Sequence, residues 1–308
     1  MNKHYASFLF LSIFQVFGLR SQEVQIFKVE DFDLKGKVKS CLVITDYGRE
    51  LFEFNKEGLL TKTITQYNDS DQDITHYKYE GGELVEKRME SYKNNVLDES
   101  TSMAYFYAID TVPQRNVAEK ILSYDKQFLE KQQYQYDEEG KLVKIISSNI
   151  DGVDETTFEH TSSKNETTVS TFTNGILEKS VRTTERKGSK GTQKSVLVKE
   201  YIDGEPNRAN EEVFDDKGRL ITSEDFLYSL EDKEFVSQKK LFYHYKEGVL
   251  DRVVTKTLTT ESVDNYIFQF DSNTPKNWVK QIVTPDNTYT TRVIKYYPDE
   301  EPKEQSNN

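Results

Sequence analysis

The residues best placed for chemistry are the carboxylates Asp69, Asp71, Asp73 and Glu80. Their spacing matches positions 1, 3, 5 and 12 of a calcium loop, whose hard oxygen ligands wrap a divalent cation. Ile74 stands at the sixth position, where the sharp turn of such a loop needs glycine. The competing reading is a solvated acidic turn between two strands. His76, His160 and His244 lie at no zinc-ligand spacing and read as ordinary strand surface. Arg182, Arg186, Lys187, Lys190 and Lys194 surround Gly188-Ser189-Lys190-Gly191-Thr192. The order Gly-x4-Gly-Lys-[Ser/Thr] of a phosphate loop is absent there, so the stretch reads as a basic hairpin tip, open to an anionic partner. Cys41, the single cysteine, can form no internal disulfide and reads as a buried small hydrophobe. Carboxylates are plentiful, but nothing in the order of residues selects the pair that glycoside hydrolysis requires. No catalytic residue and no cofactor is expected, and the chain reads as a non-enzyme.

The elements that would position these residues come from one repeated motif. Phe52-Glu53-Phe54-Asn55-Lys56-Glu57-Gly58-Leu59-Leu60 returns as Tyr134-Gln135-Tyr136-Asp137-Glu138-Glu139-Gly140-Lys141-Leu142. It returns again as Val213-Phe214-Asp215-Asp216-Lys217-Gly218-Arg219-Leu220 and as Tyr243-His244-Tyr245-Lys246-Glu247-Gly248-Val249-Leu250. Tyr77 to Leu84 and Phe172 to Leu177 are shorter copies, and Phe268-Gln269-Phe270-Asp271 opens a seventh that ends at Asn277-Trp278. Strand side chains alternate between faces, so aromatic-x-aromatic puts two rings on one face. Asp or Asn then starts a turn by accepting backbone hydrogen bonds, and Gly supplies the positive φ that reverses the chain. The Thr, Val, Ile and Lys that follow suit the returning strand. Trp278 reads as an anchor for the last hairpin. Residues 117–128 carry the one stretch of helical periodicity.

The spacing between these glycines is irregular, which fits a meander of hairpins better than a solenoid of fixed period. The aromatic-x-aromatic-[Asp/Asn]-x-x-Gly-x-Leu unit resembles the YD (RHS-type) repeat of exported bacterial β-repeat proteins, and 134–142 is the nearest match. Asn277-Trp278-Val279 followed by Thr291 to Tyr296 is similar to the hairpin that often closes such chains. The resemblance implies a spiralling sheet with no catalytic residue in the repeat. This chain has too few units, and no toxin domain, for the shells that long arrays build.

The amino terminus reads as an export signal. Lys3 precedes an uncharged stretch, residues 5–19, around Phe8-Leu9-Phe10-Leu11, and Ser21-Gln22 is a plausible cleavage point. The stretch is too short and too polar to span a bilayer. The expected organisation is a signal peptide at 1–21, a β-hairpin repeat domain at 22–297 and a disordered acidic tail at 298–308. A formal charge of −12 repels nucleic acid and, at long range, anionic membranes. Tyr at 19 and Phe at 18 are too many for a disordered chain and fit a half-buried pleated surface. The fold expected is all-β: an elongated antiparallel sheet of successive hairpins, strongly twisted or curled. The function expected is a non-enzymatic exported module that binds protein or polysaccharide, or acts as a scaffold, at the cell envelope. It would be periplasmic, outer-surface or extracellular, with no membrane span once the signal is cleaved. The alternatives are a partner-dependent immunity or assembly factor, and a carboxylate-based hydrolase or ligand carrier with a cavity.

Overall fold

The computed structural model describes residues 24–188 and 191–298. The expected signal peptide and all but the first residue of the expected tail lie outside the described residues. Among the described residues one 3₁₀ turn, Val29–Phe32, precedes the strands. The first half runs β1 (Val38–Thr45), β2 (Gly48–Phe54), β3 (Leu60–Gln66), β4 (Gln72–Glu80), β5 (Glu83–Lys93), β6 (Val96–Leu97), β7 (Met103–Asp110), β8 (Asn116–Ser123), β9 (Phe128–Tyr136) and β10 (Leu142–Asn149). The second runs β11 (Val153–Ser163), β12 (Glu166–Thr173), β13 (Ile176–Gly188), β14 (Gly191–Ile202), β15 (Glu205–Phe214), β16 (Leu220–Ser229), β17 (Glu234–Lys246), β18 (Val249–Thr257), β19 (Glu261–Phe270), β20 (Trp278–Thr284) and β21 (Thr288–Tyr296). Residues 117–128 are not helical: they form most of β8 and the turn after it. Val117 and Ile121 share a strand face as well as a helical one, and pairing with β7 and β9 decides the matter.

Each strand pairs antiparallel with its chain neighbours, apart from β6, which sits beside β5 outside the main circuit. The last strand then returns to the first, with Ile294 opposite Cys41 and Arg292 opposite Val43. Twenty strands thus close on themselves. The expected open, elongated sheet is corrected to a closed barrel of hairpins. An open meander would leave the N–H and C=O groups of β1 and β21 unpaired, and closure removes both edges.

The repeat explains the curl. At each full copy the register slips by one residue beside the second ring, as at Glu53/Phe54, Val213/Phe214 and His244/Tyr245. Such bulges bend and twist a strand. The turn is the one anticipated: Asn55 Oδ1 accepts the Leu59 amide at 2.8 Å, Asp137 Oδ1 the Lys141 amide at 2.8 Å and Asp215 Oδ1 the Arg219 amide at 2.9 Å. Gly58, Gly140 and Gly218 sit at φ of +80°, +75° and +75°. Six of the seven tips join a descending strand to an ascending one, so they gather at one rim. The copy at Gly175 lies at the opposite rim.

Cross-strand register defines two continuous faces. Cys41, Val117, Phe158, Val169, Val196, Val253, Gln281 and Arg292 are buried on one of them, the inner face, which half-buried Phe52 shares. Strands about 4.8 Å apart, tilted by roughly 40°, give a circular twenty-strand barrel a radius of about 20 Å. Side chains cannot fill that width, which is why most inward residues are half-buried. Solid packing is confined to two patches. One joins Val29, Phe32, Leu34, Val38, Cys41, Phe54 and Leu60. The other centres on Val117, Tyr134, Tyr136, Leu142 and Phe158.

Residues 24–37 strap the rim that carries the tips. Val29 N donates to Gly58 O at 3.0 Å and Leu60 N to Phe27 O at 2.9 Å. The Phe32 ring lies 4.6 Å from that of Phe52 and 5.4 Å from that of Phe54. Val24, at the far end of the strap, packs on the second patch. Trp278 anchors the strap to the final hairpins, as its indole N–H donates to Asp33 Oδ2 at 2.8 Å.

Candidate functional site

The inner wall of β5 and β7–β10 gathers the richest set of polar and aromatic side chains that face the lumen. Alternation on each strand, together with the observed register, stacks them in three rows. Lys87, Tyr105, Ile121 and Glu130 form the first. Tyr107, Glu119, Gln132 and Ser147 form the second, and Ile109, Val117, Tyr134 and Ile145 the third.

Glu119 is the centre of this wall, with only 7% of its surface exposed. The Tyr134 hydroxyl lies 2.7 Å from both a Glu119 oxygen and the Gln132 amide oxygen, so its single proton serves one of two acceptors. The Gln132 amide nitrogen donates to Glu130 Oε1 at 2.8 Å, and the Ser147 hydroxyl donates to the same oxygen. The result is a hydrogen-bonded line from Ser147 to Glu119. Burial, reinforced by the Glu119 charge, pushes the Tyr134 and Tyr107 hydroxyls well above the usual phenol range. Burial pulls the Lys87 ammonium down, with Glu119 opposing it, and its Nζ sits 4.1 Å from the centre of the Tyr105 ring. A surface of this kind offers ring faces for stacking and carboxylate and amide oxygens for hydroxyl or ammonium donors.

A second inward cluster lies on β15–β17. Asn210 Nδ2 donates to Asp225 Oδ1 at 2.9 Å. Burial, then the Asp225 charge, raises the Glu212 carboxyl. Burial, then Glu212, pushes the Tyr243 hydroxyl up to about 12.

The four carboxylates of the calcium pattern do not converge. Asp69 is an exposed turn residue. Asp71 organises the loop instead, accepting from Asn68 Nδ2 at 2.9 Å and the Asn94 amide at 2.8 Å. Asp73, on β4, accepts the Tyr67 hydroxyl at 2.7 Å. Glu80 ends the same extended strand, about 23 Å away at the strand rise, where it pairs with Lys78 at 2.9 Å. No cluster of His, Cys, Asp or Glu suited to a metal is found among the described residues. His160 Nε2 bonds to Leu142 O at 2.8 Å, while His76 and His244 are exposed on the outer face. Cys41 is buried, and burial pushes its thiol up to about 11.

Sequence reading missed Glu119 and its neighbours for a definite reason. Tyr134 belongs to a recognised repeat, but Glu119 falls in the stretch with helical periodicity. Read as a strand, 116–123 places Val117, Glu119 and Ile121 on one face. The signal was present in the alternation.

No family model matches the chain, and no curated protein matches it. Two solved structures show what it is similar to. A porin-like protein from Bacteroides uniformis ATCC 8492 aligns at 8% identity over 84% of this chain and 98% of that one, with a TM-score of 0.32. TcdB2-TccC3 aligns at 11% identity over 82% of this chain and 19% of that one, with a TM-score of 0.16. Both scores are low, so the functional reading rests on this chain's own geometry.

Proposed function

We propose that this protein is a non-enzymatic, exported barrel of the cell envelope that holds a polyhydroxylated ligand, a neutral oligosaccharide, against its inner wall. The observation that carries the reading is the closure of the ring with Tyr105, Tyr107, Glu119, Gln132 and Tyr134 facing the lumen. Closure converts one face of a meander into a lined chamber, and lined chambers are where small ligands are held. Rings for stacking beside carboxylate and amide oxygens suit hydroxyl-rich molecules. The carrier alternative among the sequence expectations is therefore favoured over a flat scaffold. The hydrolase alternative is less well supported. Glu119 and Glu130 are diagonal neighbours on the wall, but each is engaged by neighbouring side chains.

The outer face supports a barrel in water rather than one ringed by lipid. Arg88, Lys120, Lys131, Lys144, Arg182 and Lys240 point outward along successive parts of the wall. Each cation facing lipid at mid-membrane would cost about 2–4 kcal/mol. The test is calorimetric titration of the detergent-free protein with maltohexaose, cellohexaose and chitohexaose, with thin-layer analysis for cleavage. The expected result is binding of one of them that Tyr107→Ala weakens at least tenfold, without cleavage. Cleavage would favour the hydrolase. Absence of binding by all three would sink the ligand class.

A further inference from the structure

One arc of the outer wall departs from the charged pattern. Ile74, Ile64, Leu51, Leu42 and Val293 stand directly opposite one another across β4, β3, β2, β1 and β21, and all point outward. Val293 is 51% exposed. Ile44 on β1 stands in the next row beside Arg49, and Ile282 opposite Tyr289, 50% exposed, forms a separate apolar pair beyond Lys280. The rows on either side are basic. Lys62 and Lys295 lie toward the strapped rim, and Arg49 and Lys280 toward the other. Among the outward residues of β1–β4, β20 and β21 the acidic side chains are Glu53, opposite Lys62, and Glu80, paired with Lys78, against the further cations Arg49, Lys280 and Lys295. That balance runs against a chain whose formal charge is −12.

We propose that this arc rests on an anionic phospholipid bilayer surface, the barrel lying on its side and held peripherally. An apolar stripe between rows of Lys and Arg is the arrangement by which interfacial elements bury a greasy face while their cations meet lipid phosphates. Five strands on a wall of about 20 Å radius meet a plane to a depth of about 6 Å. Interfacial helices bury their apolar faces about 5–10 Å deep. A second copy of the chain fits less well, because stacking the arc on itself would oppose Lys and Arg rows of like sign. The inference is independent of what the lumen holds. It also corrects the expectation from net charge: apart from Glu53 and Glu80, the acidic strand residues that repel a membrane at long range lie off this arc.

The test is co-sedimentation of the whole exported chain with vesicles of phosphatidylglycerol and phosphatidylcholine, against phosphatidylcholine alone, at low and high salt. The expected result is at least tenfold stronger association with the anionic vesicles, weakened by salt. Lys62→Glu with Lys295→Glu should reduce it at least fivefold. Lys120→Glu with Lys131→Glu, an equal charge change elsewhere on the outer wall, should leave it within twofold. A probe that perturbs no apolar residue keeps the inference testable if the first pair misfolds. A fluorophore on Ser40→Cys should be quenched by spin-labelled lipid, and one on Ser170→Cys, across the ring on β12, should not. Equal loss in both charge pairs, equal quenching at both probes, or no association with anionic vesicles would overturn the proposal. So would a dimer in light scattering that Val293→Thr splits.

Discussion

Arg292→Met should release the amino-terminal strap and lower the melting temperature by about 6–12 °C. Arg292 is 6% exposed on β21. Its Nη1 donates to Asp33 O at 3.2 Å and its Nη2 to Phe32 O at 3.1 Å. Its guanidinium carbon lies 3.5 Å from the centre of the Trp278 ring. Hydrogen bonds from a charged donor contribute about 1.5–3 kcal/mol each, and a desolvated cation–ring contact about 2 kcal/mol. Burial works against the guanidinium charge, so methionine recovers part of the loss by removing a costly desolvation and filling the space. The net penalty comes to about 3 kcal/mol, and a chain of this size shifts by roughly 2–4 °C per kcal/mol. The assay is thermal circular dichroism at strand wavelengths, with limited proteolysis read at the strap. Cleavage within residues 24–37 should appear in the variant well below its melting temperature, since the strap touches the barrel chiefly at this corner and along Gly58 to Leu60. A variant that melts within about 1 °C of the parent and keeps a protease-resistant strap would refute the latch. Trp278→Phe isolates one part of it, the indole bond to Asp33, and should lose about 1 kcal/mol.

Four further outcomes are expected. Gly48→Ala should destabilise by about 3 kcal/mol, because the backbone is at φ +153° and the added Cβ would lie 2.5 Å from Gln66 O. Gly140→Ala, at φ +75° with open space around it, should lose only about 1 kcal/mol in the same denaturant titration. Glu212→Gln should raise the melting temperature at pH 7 by about 2 °C and leave it unchanged near pH 4. Its folded carboxyl is raised by burial and then by Asp225, so stability is greatest with the proton on and falls as pH climbs above the ordinary carboxylate range. Alkaline titration should show the same sign for the phenols. Tyr67, raised to about 12 chiefly by its hydrogen bond to Asp73, and Tyr243, raised to about 12 chiefly by burial, bind their protons more tightly when folded. Stability should hold to about pH 10 and fall as pH rises toward 12, with absorbance at about 295 nm appearing together with unfolding.

Sequence by itself determined the local structure. Alternation of rings and polar residues made strands, and Asn55, Asp137 and Asp215 made turns with Gly58, Gly140 and Gly218 as read. It also put Cys41 inside and gave Trp278 its anchoring role. Where strand and helix periodicities overlapped, at 117–128, it gave no decision, and Glu119 was hidden with them. Only the tertiary structure decided that the meander closes. The pairing of Ile294 with Cys41 joins residues more than 250 positions apart, and no periodicity carries information over that distance. Closure then settled which alternating face became the lumen, because a pleated strand has two faces and only curvature distinguishes them. The same closure set Glu119 among the tyrosines and brought Leu42 and Val293 into one outward row. Each of those juxtapositions depends on register between strands, a property of the assembled sheet and not of any one segment.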